Sequence, residues 1–293
     1  MKRILTTLLL ALPLIAAAQS PIPTDPTSPP WAQRKSGPPL AIHQGTGTPT
    51  TPTPAGLYVA MGDSITFGYG ANPNCQAFPT HPVDPAQFCP EGRSYATLVA
   101  LALRNKGIAG QFMNLGISGA HVERILSDEL PYLPAEATLI TLYIGTNDSR
   151  AVRNTKTTIK ETVAQFEKNY DVLLASIHKQ APHAKIVLIN FPNEQYLAES
   201  YHFAPEALPR FNATSQILDK FIDDHYPTYP VVDTICNPSS YDKALLYNET
   251  VHPNEEGSAI LAKAVLDIIL AANPAAPPTT CKWFNANSLP SQN

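Results

Sequence analysis

Apolar residues follow two spacings along this chain, and stretches of the two kinds alternate. Continuous apolar runs, which are typical of buried parallel strands, occupy residues 57–61, 111–115, 137–144, 185–191 and 231–235. Apolar residues recur every three or four positions, as in amphipathic helices, over residues 94–105, 121–130, 158–180, 208–226 and 255–272. Strands that alternate with helices predict parallel βαβ units and a sheet with helices on both faces.

The N-terminus has a different pattern, with Lys2 and Arg3 ahead of an apolar stretch that ends in three alanines at 16–18. These features predict a secretory signal peptide over residues 1–18. The stretch is too short, and too soon followed by prolines, for a convincing membrane span. We therefore expect a secreted protein, periplasmic or extracellular, without stable membrane insertion; a retained N-terminal anchor is the alternative.

Proline makes up 30 of the 293 residues, and many of the prolines lie between Pro21 and Pro54. Because few large apolar residues accompany them, this stretch cannot bury enough surface to offset its ordering entropy. We expect a flexible arm, rich in proline and threonine, over residues 19–56. Residues 57–272 have the length and composition of one α/β domain, and residues 273–293 form a C-terminal tail.

Bulk charge and motif content argue against several classes of function. The formal net charge is -4 and no lysine or arginine cluster occurs, so we expect no nucleic-acid partner. The sequence has no glycine-rich dinucleotide fingerprint and no phosphate loop, and its histidines other than His252 have no metal-ligand spacing. We expect a monomer that uses neither a cofactor nor a metal.

The four cysteines are Cys75, Cys89, Cys236 and Cys281. An even number in an exported chain predicts disulfides, and four cysteines allow three pairings. We favour Cys75 with Cys89, because the two bracket one proline-rich loop. Cys236 would then pair with Cys281 and hold the C-terminal tail against the domain.

Small and polar residues follow three of the predicted strands, as Gly-Asp-Ser at 62–64, Gly-Ile-Ser-Gly at 116–119 and Gly-Thr-Asn-Asp at 145–148. The carboxyl ends of parallel strands lie along one edge of a sheet, where open α/β proteins bind their ligands. A further cluster at 249–254 directly precedes the last predicted helix. We therefore expect these clusters to build one site.

Together the clusters contain the groups that acyl transfer needs. Ser64 can be the nucleophile, His252 the base and Glu249 the acid that orients the base. The backbone amides of Ser64 and Gly119, with the side chain of Asn147, can form an oxyanion hole. Taken alone, Ser64 has a simpler interpretation as the cap of the following helix.

The same clusters resemble those of a known family, the GDSL/SGNH hydrolases. Four blocks occur in the family's order: Gly-Asp-Ser-Ile-Thr at 62–66, Asn-Leu-Gly-Ile-Ser-Gly at 114–119, Gly-Thr-Asn-Asp at 145–148 and His-Pro at 252–253. The resemblance covers about residues 57–272 and implies a three-layer α/β/α sandwich, flavodoxin-like, with a mostly parallel sheet. It also implies serine esterase or lipase activity without a metal, with Ser64 as nucleophile, Gly119 and Asn147 as oxyanion donors and His252 as base.

One position departs from the family pattern, because the acid three residues before the histidine is usually aspartate and is Glu249 in this chain. Glutamate keeps the charge, but its extra methylene requires the side chain to fold back to reach the same ring nitrogen. Acids of both types orient histidine in hydrolases. The alternatives to Glu249 are a backbone carbonyl, Asp242 or Asp233.

The sequence thus predicts a secreted serine esterase or lipase that acts on a small-molecule, lipid or acylated-sugar ester through an acyl-serine intermediate. The second hypothesis is a carbohydrate O-acetylesterase, since export and a proline-rich arm suit an acetylated polysaccharide. The third is a non-catalytic envelope or glycan-binding module on the same fold. The sequence does not identify the residues that bind the substrate.

Overall fold

Five parallel strands form one sheet in the computed structural model, which describes residues 55–71, 81–153, 156–192, 207–247, 251–274 and 281. The strands are β1 (Leu57–Gly62), β2 (Gln111–Asn114), β3 (Leu139–Tyr143), β4 (Lys185–Ile189) and β5 (Val231–Val232). They lie in the order β2-β1-β3-β4-β5, so β1 is an interior strand with β2 on one side and β3 on the other.

The helices cover both faces of this sheet. Their bounds are α1 (Ser64–Phe67), α2 (Pro85–Phe88), α3 (Tyr95–Asn105), α4 (Val122–Arg124), α5 (Thr146–Ser149), α6 (Ile159–Gln180), α7 (Leu208–His225) and α8 (Glu255–Leu270). Helix α3 packs against α8, and α6 packs against α4 and α7. From β1 the chain moves to β2 at one edge of the sheet, and from β3 it moves through β4 to β5 at the other edge. Because these crossovers are right-handed, the α3–α8 pair lies on one face of the sheet and the group of α4, α6 and α7 lies on the opposite face. The predicted α/β fold is confirmed.

The strands are apolar along their whole length because both faces of the sheet are covered. Val59 pairs with Met113 on one side and Ile140 on the other, and all three side chains are buried. Leu142 and Leu188 continue the same core between β3 and β4.

Two long helices begin at polar caps that the sequence supplies. Thr158 and Glu161 form a capping box at the start of α6, whose buried side includes Phe166 and Tyr170. Asn254 caps α8, with its side chain accepting a hydrogen bond from the Gly257 amide.

The prediction of one regular helix over residues 121–130 is wrong in detail. The helix α4 is followed by a π-helical turn, Ile125–Glu129, and then by a 3-10 turn, Leu130–Tyr132. At the last residue of the π-helical turn, the carboxylate of Glu129 is buried against the backbone amide of Gly62. A π-turn of this kind is common near functional sites.

Strand β5 is shorter than the predicted run over residues 231–235. After Val232, the amide and hydroxyl of Thr234 bond to the side chain and backbone of Asn190. Side-chain bonding therefore replaces the strand ladder at this point. Helices α1 and α5 were not predicted, because four residues are too few to show a helical period.

A disulfide joins Cys236 to Cys281, with their Cα atoms 5.8 Å apart. Cys75 lies outside the described residues, so its predicted pairing with Cys89 stays a prediction. The predicted signal peptide over residues 1–18 also lies outside them, as does the arm up to residue 54. Within the described ranges, no helix is long and apolar enough to cross a membrane.

Candidate active site

The carboxyl end of β1 lies at a topological switch point of the sheet. The chain leaves β1 toward β2 and returns to β3 on the other side, and such a reversal opens a crevice between the loops. The two flanking loops are tied to the end of β1. The Ile117 amide donates to the Gly62 carbonyl at 2.9 Å, and the Asp63 amide donates to the Tyr143 carbonyl at 3.2 Å.

The turn that follows β1 presents Ser64 at this crevice. Gly62 has a φ of 147°, and a Cβ atom at this position would lie 2.2 Å from the Tyr143 carbonyl oxygen, so the turn requires glycine. Asp63 is the N-cap of α1, because its Oδ1 accepts a hydrogen bond from the Ile65 amide at 2.9 Å. The capping role therefore belongs to Asp63, and the Ser64 hydroxyl is not needed for it.

Ser64 and His252 are in direct contact although 188 residues separate them in the sequence. His252 Nε2 lies 2.8 Å from Ser64 Oγ, which is hydrogen-bond distance. In the tautomer that carries its proton on Nδ1, the imidazole accepts the hydroxyl proton of the serine. The contact has the geometry of a nucleophile and its base.

The loop that carries His252 is held by backbone and ring contacts. The Tyr247 amide donates to the His252 carbonyl at 2.8 Å, and the Asn254 amide donates to the Leu245 carbonyl at 2.8 Å. The ring of Tyr69 lies against the imidazole, with the ring centroids 4.2 Å apart. These contacts hold the imidazole beside Ser64.

The surroundings of His252 favour the neutral imidazole. Desolvation by burial and the nearby positive charge of Arg150 lower the pKa of His252 to about 3. Both causes disfavour the charged form of a histidine. The side chain is therefore unprotonated at neutral pH and able to accept a proton.

The residues predicted as oxyanion donors lie on the loops after β2 and β3. Among the described residues, none accepts a hydrogen bond from the backbone N–H of Ser64 or of Gly119. Gly119 has a φ of 75°, and a Cβ there would meet nothing within 4 Å, so its surroundings are open. Asn147 Nδ2 donates one hydrogen to the Ala120 carbonyl at 3.0 Å, which leaves its second hydrogen for another acceptor.

Asp148 fastens the loop after β3 to the loop after β2. Its Oδ1 accepts a hydrogen bond from the Val122 amide at 3.2 Å. Burial raises the pKa of Asp148 to about 7. The residue therefore organises the turn beside Asn147.

The acid proposed to orient His252 lies outside the described residues, because Glu249 belongs to the omitted segment 248–250. Both aspartates considered as alternatives bond to their own loops. Asp233 Oδ1 accepts from the Cys236 amide at 2.9 Å, and Asp242 Oδ1 accepts from the Ala244 amide at 2.9 Å.

Three residues near the site were missed by the sequence analysis: Tyr69, Arg150 and Glu129. Glu129 Oε2 accepts a hydrogen bond from the Gly62 amide at 2.9 Å, and burial raises the pKa of this carboxyl well above its usual range. A signal existed for Glu129, since it continues the apolar spacing of Val122 and Ile125 with an acid. No local pattern marks the other two.

A metal site is not evident in the described ranges, which contain no group of three or more His, Cys, Asp and Glu side chains positioned to hold an ion.

Comparison with known proteins bears on this arrangement. The family model described as "GDSL-like Lipase/Acylhydrolase family" matches residues 60–260, which include Ser64, Gly119, Asn147 and His252. A search of curated proteins found no match.

Several solved structures share the fold. A phospholipase A1 from Streptomyces albidoflavus NA297 is 18% identical, with a TM-score of 0.51 over 73% of this chain and 99% of the other. An extracellular lipase from Streptomyces rimosus is 18% identical, with a TM-score of 0.51 over 75% of this chain and 100% of the other. A catalytic mutant of an acetylxylan esterase from Geobacillus stearothermophilus is 17% identical, with a TM-score of 0.53 over 80% of this chain and 98% of the other.

Proposed function

This chain belongs to the GDSL-like lipase/acylhydrolase family and is a carboxylic ester hydrolase, and on that premise we propose that it works through an acyl intermediate on Ser64. The observation that supports this role is the 2.8 Å contact between Ser64 Oγ and His252 Nε2 at the carboxyl edge of the sheet. A nucleophile within hydrogen-bond reach of a neutral base is the arrangement that acyl transfer requires.

The proposed reaction has two steps. Ser64 Oγ attacks the ester carbonyl carbon while His252 Nε2 takes the hydroxyl proton, and the tetrahedral intermediate then expels the alcohol, which receives that proton. In the second step, His252 takes a proton from water as the water attacks the acyl-Ser64 ester. Collapse releases the carboxylic acid and returns the proton to Ser64.

The developing oxyanion needs donors that are already in place. We assign this role to the backbone amides of Ser64 and Gly119 and to the side chain of Asn147. The support is that the two amides have no acceptor among the described residues and that Asn147 keeps one hydrogen after bonding to Ala120.

The orienting acid is proposed to be Glu249, through the Nδ1 atom of His252. The hydrogen bonds of Asp233 and Asp242 to their own loops favour Glu249 over these two aspartates. A carboxylate in this position would hold the required tautomer and stabilise the imidazolium that forms during the reaction.

We also propose that the enzyme is exported, with residues 1–18 as a signal peptide and residues 19–56 as an arm ahead of the domain. The basic and apolar N-terminus supports export, and the disulfide between Cys236 and Cys281 is consistent with an oxidising compartment. The named structural neighbours act on lipid and on sugar esters, so they leave both substrate classes open.

The nucleophile is tested by labelling the purified protein with a fluorophosphonate and locating the adduct by mass spectrometry. We expect the adduct on Ser64. We also expect Ser64→Ala to lower kcat on short-, medium- and long-chain p-nitrophenyl esters by at least about a thousandfold. Glu249→Ala should lose less, because removing the orienting acid leaves the base in place.

Ser127→Ala is the matched control, since Ser127 is an exposed serine whose hydroxyl donates to the neighbouring Asp128 Oδ1, and it should react and turn over like the unchanged protein. An adduct on another residue, or ester hydrolysis that survives in a folded Ser64→Ala protein, would overturn the assignment.

A further inference from the structure

A groove of about 640 Å³ is lined in part by the chain segments that carry two of the proposed oxyanion donors. Its lining includes His121 and Asp148, which follow Gly119 by two residues and Asn147 by one. From there the groove continues along the N-terminal half of α6. Its volume lies within the range of about 300–1,000 Å³ that is usual for small-molecule sites.

Three side chains in this groove hold one another in place across two helices. Gln165 Nε2 and Asn169 Nδ2, both on α6, each donate to Oε1 of Glu123 on α4 at 3.0 Å. Gln165 Nε2 also lies 3.0 Å from Asn169 Oδ1. Long exposed side chains usually lose entropy when they bind a ligand, and prior bonding reduces that loss.

The arrangement leaves hydrogen-bond acceptors for a ligand. No described residue donates to Glu123 Oε2 or to Gln165 Oε1, and both side chains are exposed. The neutral imidazole of His121, whose pKa is lowered mainly by desolvation, adds a group that can donate or accept. The groove therefore suits a ligand that carries several hydroxyl groups.

The residues that line the groove disfavour the other common ester partners. Glu123 and Glu161 oppose Lys156, the single lysine or arginine among the described lining residues. This excess of carboxylates disfavours a phosphate or a carboxylate on the ligand. The apolar residues of the described lining are Ala151 and Phe166, and Phe166 is buried in the core, so the groove offers a fatty chain no large exposed apolar side chain.

We propose that this groove binds the alcohol part of the substrate and that this alcohol is a neutral sugar, with its hydroxyl groups donating to Glu123 Oε2 and Gln165 Oε1. Hydrogen bonds from hydroxyl groups to a carboxylate are charge-assisted and stronger than neutral ones. The inference rests on the function proposed above and specifies its substrate class as acylated carbohydrate rather than lipid.

Two acetyl esters test whether the free hydroxyl groups of the alcohol part matter. In both esters the acetyl group is on a primary alcohol next to a six-membered ring, so the bond that is cleaved is alike. The first is 6-O-acetylglucose and the second is cyclohexylmethyl acetate, which has no free hydroxyl. We expect the unchanged enzyme to favour the sugar ester in kcat/KM by about tenfold or more. Glu123→Gln and Gln165→Ala should each lower the ratio of the two kcat/KM values by roughly fivefold to tenfold.

Glu136→Gln is the matched control, since Glu136 is exposed in the turn before β3 and does not line the groove, and it should leave both values unchanged. If these side chains only tie α4 to α6, the two substitutions would lower the melting temperature and would change kcat/KM for both esters by the same factor. An unchanged ratio, or an unchanged enzyme without preference for the sugar ester, overturns the groove proposal. Hydrolysis of either ester by Ser64→Ala would instead overturn the proposed function.

Discussion

At the scale of single residues, the pKa of His252 sets the acid limit of the proposed chemistry. Desolvation first and the charge of Arg150 second lower this pKa. A Glu249 carboxylate at Nδ1 would raise it, because a nearby opposite charge favours the imidazolium. In Glu249→Ala we therefore expect the acid limb of kcat/KM for p-nitrophenyl acetate to have its midpoint below pH 6.5, because this limb reports the base of the free enzyme.

Replacing Arg150 tests how far its positive charge lowers the pKa of His252. Arg150→Gln removes a positive charge that opposes protonation, so the pKa of His252 should rise and the acid limb should move up by roughly half a unit to one unit. Arg150→Lys keeps the charge and should leave the limb in place. A limb that moves downward in Arg150→Gln would contradict this electrostatic account.

The sequence was most informative for residues whose role is tied to a local motif. Ser64, Gly119, Asn147 and His252 stand next to strand ends or helix starts, so their clusters could be recognised before the fold was known. Tyr69 and Arg150 could not, because their effect on His252 arises from packing between distant segments. Such contacts leave no spacing in the sequence.

At the scale of elements, the π-turn after α4 supports the turn that carries Ser64. Its last residue, Glu129, is fully buried, burial raises the pKa of its carboxyl well above the usual range, and its Oε2 accepts a hydrogen bond from the Gly62 amide. We expect Glu129→Gln to retain near-normal stability, because a neutral amide oxygen can accept the same bond. Glu129→Ala leaves a buried amide unpaired and should cost about 2–4 kcal/mol of unfolding free energy.

Urea unfolding of the two variants, with kcat measured in parallel, checks this expectation. The alanine variant should also lose turnover, since the Gly62 amide directly precedes the turn of Ser64. A glutamine variant destabilised as strongly as the alanine variant would contradict the view that one accepted hydrogen bond is the main contribution of Glu129.

Long helices were predictable, and short or interrupted ones were not. The apolar stripe of α6 spans several turns and identifies the helix within one residue at its start. By contrast, α5 has four residues, and the path after α4 changes helix type where Glu129 turns inward. Periodicity averages over turns, so it misses features whose cause is a single buried side chain.

At the scale of the whole molecule, the disulfide between Cys236 and Cys281 closes a loop that contains the His252 segment and α8. The sequence separation is 45 residues, and the chain-entropy relation gives about 4 kcal/mol of stabilisation for a loop of this length. We expect the Cys236→Ser/Cys281→Ser double variant to unfold at lower urea concentration by a comparable free energy. A double variant as stable as the parent would show that the bond constrains little.

The contact between Ser64 and His252 also bears on when the protein becomes active. All five strands of the described sheet lie between residues 57 and 232, so the sheet requires no residue of the segment that carries His252. The two groups meet across 188 residues, and closing so long a stretch of chain costs entropy, so we expect this contact to form late. A partly folded chain would then hold the proposed nucleophile without its proposed base, and we expect ester hydrolysis to begin with the last step of assembly.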